Sequence, residues 1–115
     1  IPMPEVPTNF CVSQEIGGTL LSALDMEPQT AIAFACKYVD EEFTEFDEYV
    51  LASVEDFLNL HNGLYTVNMS NEHSIELKLE PPVIQEHTTL STDSPAYLLP
   101  IIYPFGRINF IVSIL

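Results

Sequence analysis

Residues Glu45 to Gly63 read EFDEYVLASVEDFLNLHNG, and the rest of the chain is organised around them. At about 100° per residue, Phe43, Phe46, Val50, Val54, Phe57 and His61 fall on one side of a helix. Glu45, Glu48, Ala52, Asp56 and Asn59 fall on the opposite side, in three- and four-residue steps. The apolar stripe is what a sheet would bury, and the polar row would face solvent or a partner. Asn62-Gly63 is a good helix-stop signal, so the helix is expected to end there.

Upstream, Thr8–Ser13 alternates weakly, Gly17-Gly18 supplies a turn, and Thr19–Met26 resumes an extended apolar pattern, which predicts a hairpin. Asp25 or Glu27-Pro28 opens a short helix that ends near Asp40-Glu41-Glu42. Downstream, Tyr65–Met69 is expected to be a strand and Ser70–His73 a turn. Ile75, Leu77 and Leu79 alternate with Glu76, Lys78 and Glu80, the cleanest strand pattern in the chain. Pro81-Pro82 ends it. Val83–Leu90 is a further candidate strand, and Ser91–Pro95 a loop. Tyr97–Tyr103 and Ile108–Leu115 form a last hairpin around Pro104-Phe105-Gly106, with Pro100 demoting the first of these to an edge or a bulge. Short connections between strands imply a mostly antiparallel sheet with both helices packed on one face, an α+β fold. Ile1–Pro7 carries three prolines and is expected to be a linker or a cut inside a longer protein, with residues 8–115 as the domain.

Three basic residues against seventeen acidic ones give a formal charge of −14 over 115 residues. Such a surface repels nucleic acid and anionic lipid, whose phosphates need Lys and Arg. It favours a partner that presents lysines or a metal-centred site, or serves solubility alone. No apolar run approaches the roughly 20 residues of a membrane-spanning helix. Cys11 and Cys36 lie far apart without a metal or redox motif, which points to two buried thiols and a cytoplasmic location.

Familiar enzyme chemistries find no support. His61, His73 and His87 lack paired ligand spacing, so no metal site is expected, and His61 on the apolar face is expected to be a core histidine. There is no nucleophile motif, and four glycines are too few for a phosphate loop. The carboxylates of the central helix read as a solvated acidic face or as acid–base groups.

At that helix the chain resembles the CheC/CheX/FliY family of chemotaxis phosphatases. The family carries Glu-x-x-Asn on an exposed helix, usually with Asp or Ser four residues before the Glu, and a Pro that follows the Asn with twenty-two residues between them. Here Asp56-Phe57-Leu58-Asn59 occupies the tetrapeptide, and twenty-two residues separate Asn59 from Pro82. Leu60-His61-Asn62-Gly63 resembles the family's Asn-x-x-x-Gly helix end, and a single copy of the motif is more like CheX than CheC. There are two departures: Asp56 stands for the Glu, one methylene shorter, and Ala52 for the preceding Asp or Ser. The family's long N-terminal helix is not present in these residues.

The resemblance implies dephosphorylation of a phosphorylated receiver domain of the CheY type. Asn59 would orient the attacking water and Asp56 would anchor the receiver's active-site lysine, with Ala52, Glu48 and Glu55 on the partner-binding face. The receiver would supply the phospho-aspartate and Mg²⁺, so this chain needs no cofactor of its own. The alternative is a non-catalytic interaction or dimerisation module in two-component signalling. A homodimer is a further expectation, on the premise that Ile108–Leu115 forms an edge strand and pairs with a second copy; a mid-sheet position is the competing reading.

Overall fold

The structure, a computed structural model, describes residues 2–86 and 89–114. Eight elements follow in chain order: β1 (Pro2–Pro7), β2 (Phe10–Ile16), β3 (Leu20–Met26), α1 (Pro28–Val39), α2 (Glu48–His73), β4 (Val83–Glu86), β5 (Thr89–Tyr103) and β6 (Gly106–Ile114). The strands form one antiparallel sheet in the order β1-β5-β6-β3-β2-β4. The α+β class and the mostly antiparallel sheet are as the sequence predicts.

The β2–β3 hairpin closes through Gly17 and Gly18, at φ 62° and 68°, a region that costs glycine nothing. Pro28 opens α1 and Asp40, at φ 60°, closes it by donating its N–H to the Cys36 carbonyl. Cross-strand partners share a face of a sheet, so register assigns the sides. Phe10↔Met26↔Ile108 and Val12↔Leu24↔Phe110 make rows on the helix side. Onto those rows α2 lowers Val50, Val54 and Leu58, each fully buried, while α1 adds Ala31 and Ala35. Burying each large side chain contributes on the order of 2 kcal/mol, and together they fix the rotation of α2 about its axis. On the other face Cys11, Leu21, Ala23 and Ile111 pack with Val6 of β1 and Ala96 of β5.

The central helix departs from expectation at both ends. It begins at Glu48, where Asp47 Oδ1 accepts the backbone N–H groups of Tyr49 and Val50 at 3.0 and 3.2 Å. Phe43 and Phe46 therefore pack against the core from the preceding loop. Gly63 does not stop the helix, which runs ten residues further to His73 and is capped by Ser74 at φ 56°. Its 26 residues span about 39 Å at 1.5 Å each, close to the molecule's 42 Å long dimension. The expected strand Tyr65–Met69 and turn Ser70–His73 are thus helical. No sheet edge beside β2 is left for such a strand, because residues 79–86 already occupy it.

The Ile75–Glu80 segment, despite its alternation, is extended chain with one bridge, Ile16↔Leu79. Two backbone bonds hold it to β2 and the turn that follows: Gly17 N to Lys78 O at 2.7 Å and Glu80 N to Glu15 O at 3.1 Å. Its pairing breaks at Pro81-Pro82 and resumes in β4, which reaches Glu86; His87 and Thr88, within the expected Val83–Leu90 strand, lie outside the described residues, as does Leu115.

Two segments that contain proline also differ. Ile1–Pro7, expected to be a linker, contributes β1, and Ser91–Pro95, expected to be a loop, lies inside β5. β1 pairs with β5 on either side of an irregularity: Pro2 and Met3 lie opposite Tyr97 and Ala96, Glu5, Val6 and Pro7 opposite Ser91, Leu90 and Thr89, and the register shifts between them, at Pro4 on one strand and at residues 92–95 on the other. Proline lacks the N–H a regular ladder needs, so an edge strand with an irregularity accommodates it. Pro100 follows the same logic: β1 pairs only as far as Tyr97, and beyond it β5 has a neighbour on one side alone. β6, by contrast, lies between β5 and β3, which removes the edge-strand premise for the homodimer.

Candidate functional site

With Val50, Val54 and Leu58 buried, the opposite side of α2 is held outward. Glu48, Ala52, Asp56 and Asn59 are all exposed on it, in the order the sequence predicts, and Glu55 is half-buried to one side. Asp56 and Asn59 stand on one helical face but are tethered in different directions, to α1 and to β2.

Asn59 is held through β2. Gln14, on the helix side of the sheet, donates from Nε2 to Asn59 Oδ1 at 2.8 Å and to the Glu80 carbonyl at 2.7 Å. Its Oε1 accepts from Asn62 Nδ2 at 2.9 Å. Gln14 is 1% exposed and Asn62 2%, so the network is buried except where it surfaces at Asn59. Every donor and acceptor position of the Gln14 amide group that the site reaches is used, which is the condition for a buried polar residue to be tolerated. The strand-like segment before Pro81-Pro82 thereby acquires a role: it delivers the Glu80 carbonyl to the same glutamine that holds Asn59.

Asp56 is held through α1. The Tyr38 hydroxyl donates to Asp56 Oδ2 at 2.7 Å. That hydrogen bond, with smaller contributions from burial and from the Asp56 charge, raises the Tyr38 pKa. Tyr38 is itself clamped by rings, stacked on Phe34 at 5.6 Å and edge-on to Phe57 at 5.8 Å. His61 is not the core histidine expected from its helical position. It is exposed, with its ring stacked on Phe57 and edge-on to Phe110.

Three residues that shape the site escaped the sequence pattern: Gln14, Tyr38 and Asn62. Gln14 left a signal, since it is the one polar residue in the inward row Phe10, Val12, Gln14, Ile16. A buried glutamine on a sheet face needs partners, and the partners mark the site. Tyr38 and Asn62 left none, because a half-exposed tyrosine is ordinary and Asn62, followed by Gly63, reads as a helix-stop signal.

The site is a convex helix surface and not a pocket. A cleft of about 560 Å³ lies elsewhere, between the start of α1 and the β5–β6 turn, lined in part by Asn9, Asp25, Thr30 and Arg107. Asp25 there is buried, which raises its carboxyl pKa, against the lowering effect of bonds from the Asn9 and Met26 backbones and from Asn109. Cys11, its cross-strand neighbour, is pushed up to about 12 by burial and by the Asp25 charge. Both cysteines are free; Cys36 is half-buried and not fully buried as expected. Among the described residues no group of three or more His, Cys, Asp or Glu side chains is placed to hold a metal ion, and no helix is long and apolar enough to cross a membrane.

No protein-family model matches the chain, and no curated protein does. Solved structures do. The chemotaxis protein CheX from Desulfovibrio desulfuricans superposes with a TM-score of 0.79 at 16% identity, over 97% of this chain and 78% of that one. This chain has the CheX fold. A chain of the CheX–CheY–BeF₃–Mg²⁺ complex from Borrelia burgdorferi matches at TM-score 0.76 and 20% identity, covering 99% of this chain and 80% of that one. A CheC-like superfamily protein from Shewanella sp. PV-4 matches at 0.73 and 15%, over 96% and 75%. Likeness to CheX and CheC-like proteins thus extends across nearly the whole chain, as the Asp56–Asn59 motif and its spacing to Pro82 led one to expect.

Proposed function

We propose that this domain acts on a phosphorylated CheY-type receiver, in the cytoplasm, and accelerates hydrolysis of its phospho-aspartate. The observation that carries the proposal is Asn59: an exposed carboxamide on the outer face of α2, held in place by a buried glutamine. The solved CheX–CheY complex of B. burgdorferi supports a receiver as partner.

The chemistry asks little of this chain. Water adds to phosphorus and the bond to the receiver's aspartyl oxygen breaks, releasing phosphate and a carboxylate. The receiver provides the acyl phosphate and its Mg²⁺. What this chain provides is position: a carboxamide can bond a phosphoryl oxygen and a water molecule together and hold the water in line. Asp56 offers an exposed carboxylate three residues away, suited to a receiver lysine, with Tyr38 setting its orientation. Glu48 and Glu55 flank it and Ala52 leaves room for the approach. The formal charge of −14 draws a lysine-bearing surface toward the helix.

The test is decay of a phosphorylated receiver with this protein at a tenth of the receiver's concentration. Faster decay that is lost in Asn59→Ala supports the phosphatase. Binding without faster decay would replace it with the interaction module. That second reading draws on Asp56, whose side chain is one methylene shorter than the family's Glu and already bonded to Tyr38.

A homodimer is proposed on different ground from the one first expected. Leu99, Ile101 and Ile102 of β5 are 56%, 40% and 73% exposed, beside the part of that strand where β1 no longer pairs. A second copy would cover them. A monomeric mass at every concentration in a sedimentation series would refute it.

A further inference from the structure

We infer that Gln14 is a positioning residue for Asn59, one that locks the carboxamide with Oδ1 inward and presents Nδ2 to the partner as a hydrogen-bond donor. The inference rests on the phosphatase proposal above and deepens it.

The orientation follows from a fixed point. The Glu80 main-chain carbonyl can only accept, so the Gln14 group 2.7 Å from it is the amide nitrogen. Gln14 Nε2 carries two hydrogens. One goes to Glu80 O and the other to Asn59, 2.8 Å away, so the Asn59 atom facing Gln14 is the oxygen. The remaining Gln14 atom, Oε1, accepts from Asn62 Nδ2 at 2.9 Å. Turning the Gln14 amide over would set carbonyl against carbonyl at Glu80 and donor against donor at Asn62, in a place 1–2% exposed. Buried mismatches of that kind are strongly disfavoured. Gln14 is therefore locked, and it locks Asn59 in turn.

For the reaction this has two consequences. The torsional freedom of Asn59 is lost on folding and not at the encounter with the receiver, which is how a positioned group gains its advantage. The face of Asn59 offered outward is an N–H pair, which seeks an oxygen lone pair: a phosphoryl oxygen, or the attacking water through the lone pair it does not use for attack.

Gln14→Met keeps the length of the side chain and removes its hydrogen bonds. Single-turnover and saturating decay of phosphorylated receiver are expected to show kcat reduced about tenfold or more, with KM for the receiver within about twofold of wild type. No loss in this variant, or a loss that lies in KM and leaves kcat unchanged, would overturn the role of Gln14 while leaving the phosphatase standing. No acceleration by the wild-type protein would overturn the phosphatase proposal itself, and the positioning role with it. Should Gln14→Met fail to fold, side-chain amide hydrogen exchange in the wild type decides: slow exchange of the Gln14 amide with fast exchange of the Asn59 amide is expected, and the reverse order refutes the lock.

Discussion

Alanine at Asn59 and alanine at Asn62 cut the same hydrogen-bond network at its wet end and at its dry end, and the two should differ sharply. Asn62 is 2% exposed and is the donor to Gln14 Oε1. Its removal leaves a buried carbonyl unpaired, a loss of about 1–3 kcal/mol. The better helix propensity of alanine returns about 0.5 kcal/mol. The net is about 0.5–2.5 kcal/mol, or a Tm lower by roughly 3–12 °C for a domain of this size. At Asn59 the accounting changes, because this side chain is exposed and water can replace its oxygen as acceptor for Gln14. A bridging water is enthalpically close to a direct bond and costs about 0–2 kcal/mol of entropy at most, commonly much less. The same propensity gain offsets it, so Asn59→Ala should keep Tm within about 3 °C. Thermal unfolding followed by circular dichroism measures both variants, and receiver dephosphorylation is run on the same samples. The expected pattern is a stable, inactive Asn59→Ala beside a destabilised Asn62→Ala. An Asn59→Ala variant as unstable as Asn62→Ala would mean that Asn59 serves the fold, and the case for a side chain held ready for a partner would collapse.

Gly63 lies inside α2 with open space where a Cβ would go, so Gly63→Ala should stabilise the protein by about 0.5–1 kcal/mol in urea unfolding; a loss of that size would show instead that the helix ends there. Asp25→Asn should stabilise the protein at pH 7, since burial raises the carboxyl pKa in the folded state above the ordinary 3.8. The folded state then holds the proton more tightly than the unfolded chain, so wild-type stability rises from this group as pH falls through the folded pKa, and the variant's advantage should shrink toward pH 4. A variant advantage that is constant with pH would assign the effect to packing. Tyr38→Phe removes the donor to Asp56 at a half-exposed site, so unfolding should shift by no more than about 1 kcal/mol. The receiver KM should rise a few-fold with kcat unchanged, and an unaltered KM would deny Tyr38 any part in presenting Asp56.

The parts of this fold that depend on local pattern were legible in the chain. Alternation around Gly17-Gly18 and around Pro104-Phe105 specifies two hairpins, Glu27-Pro28 opens a helix, and the apolar stripe through Val50 and Val54 turns Asp56 and Asn59 outward, although its buried side continues through Leu58 and not through Phe57 and His61 as expected. Those features need only periodicity and turn chemistry, which neighbouring residues carry. The recurrence of Asn59 and Pro82 at the family spacing pointed to the CheX fold before any contact was known.

What needed the tertiary structure was each choice settled by a distant partner. Ile75–Glu80 alternates like a strand, yet a regular ladder requires a neighbour with its edge free through the whole segment, and β2 offers only part of one. Tyr65–Met69 alternates too, but with no edge to join it continues the helix past Gly63. Pro2–Pro7 looks like a linker and Ser91–Pro95 like a loop; Pro2–Pro7 becomes a strand because residues 89–91 and 96–97 of β5 pair with it, and Pro4 and Pro95 fall where that pairing is interrupted. The same holds at the site. Asn59 was visible as an exposed amide on a helix, but which of its atoms faces out is decided by Gln14, 45 residues away in sequence, and by the Glu80 carbonyl, which can only accept. Local sequence sets which way a side chain leaves its helix; the hydrogen-bond partners that fix its last torsion come from elsewhere in the fold.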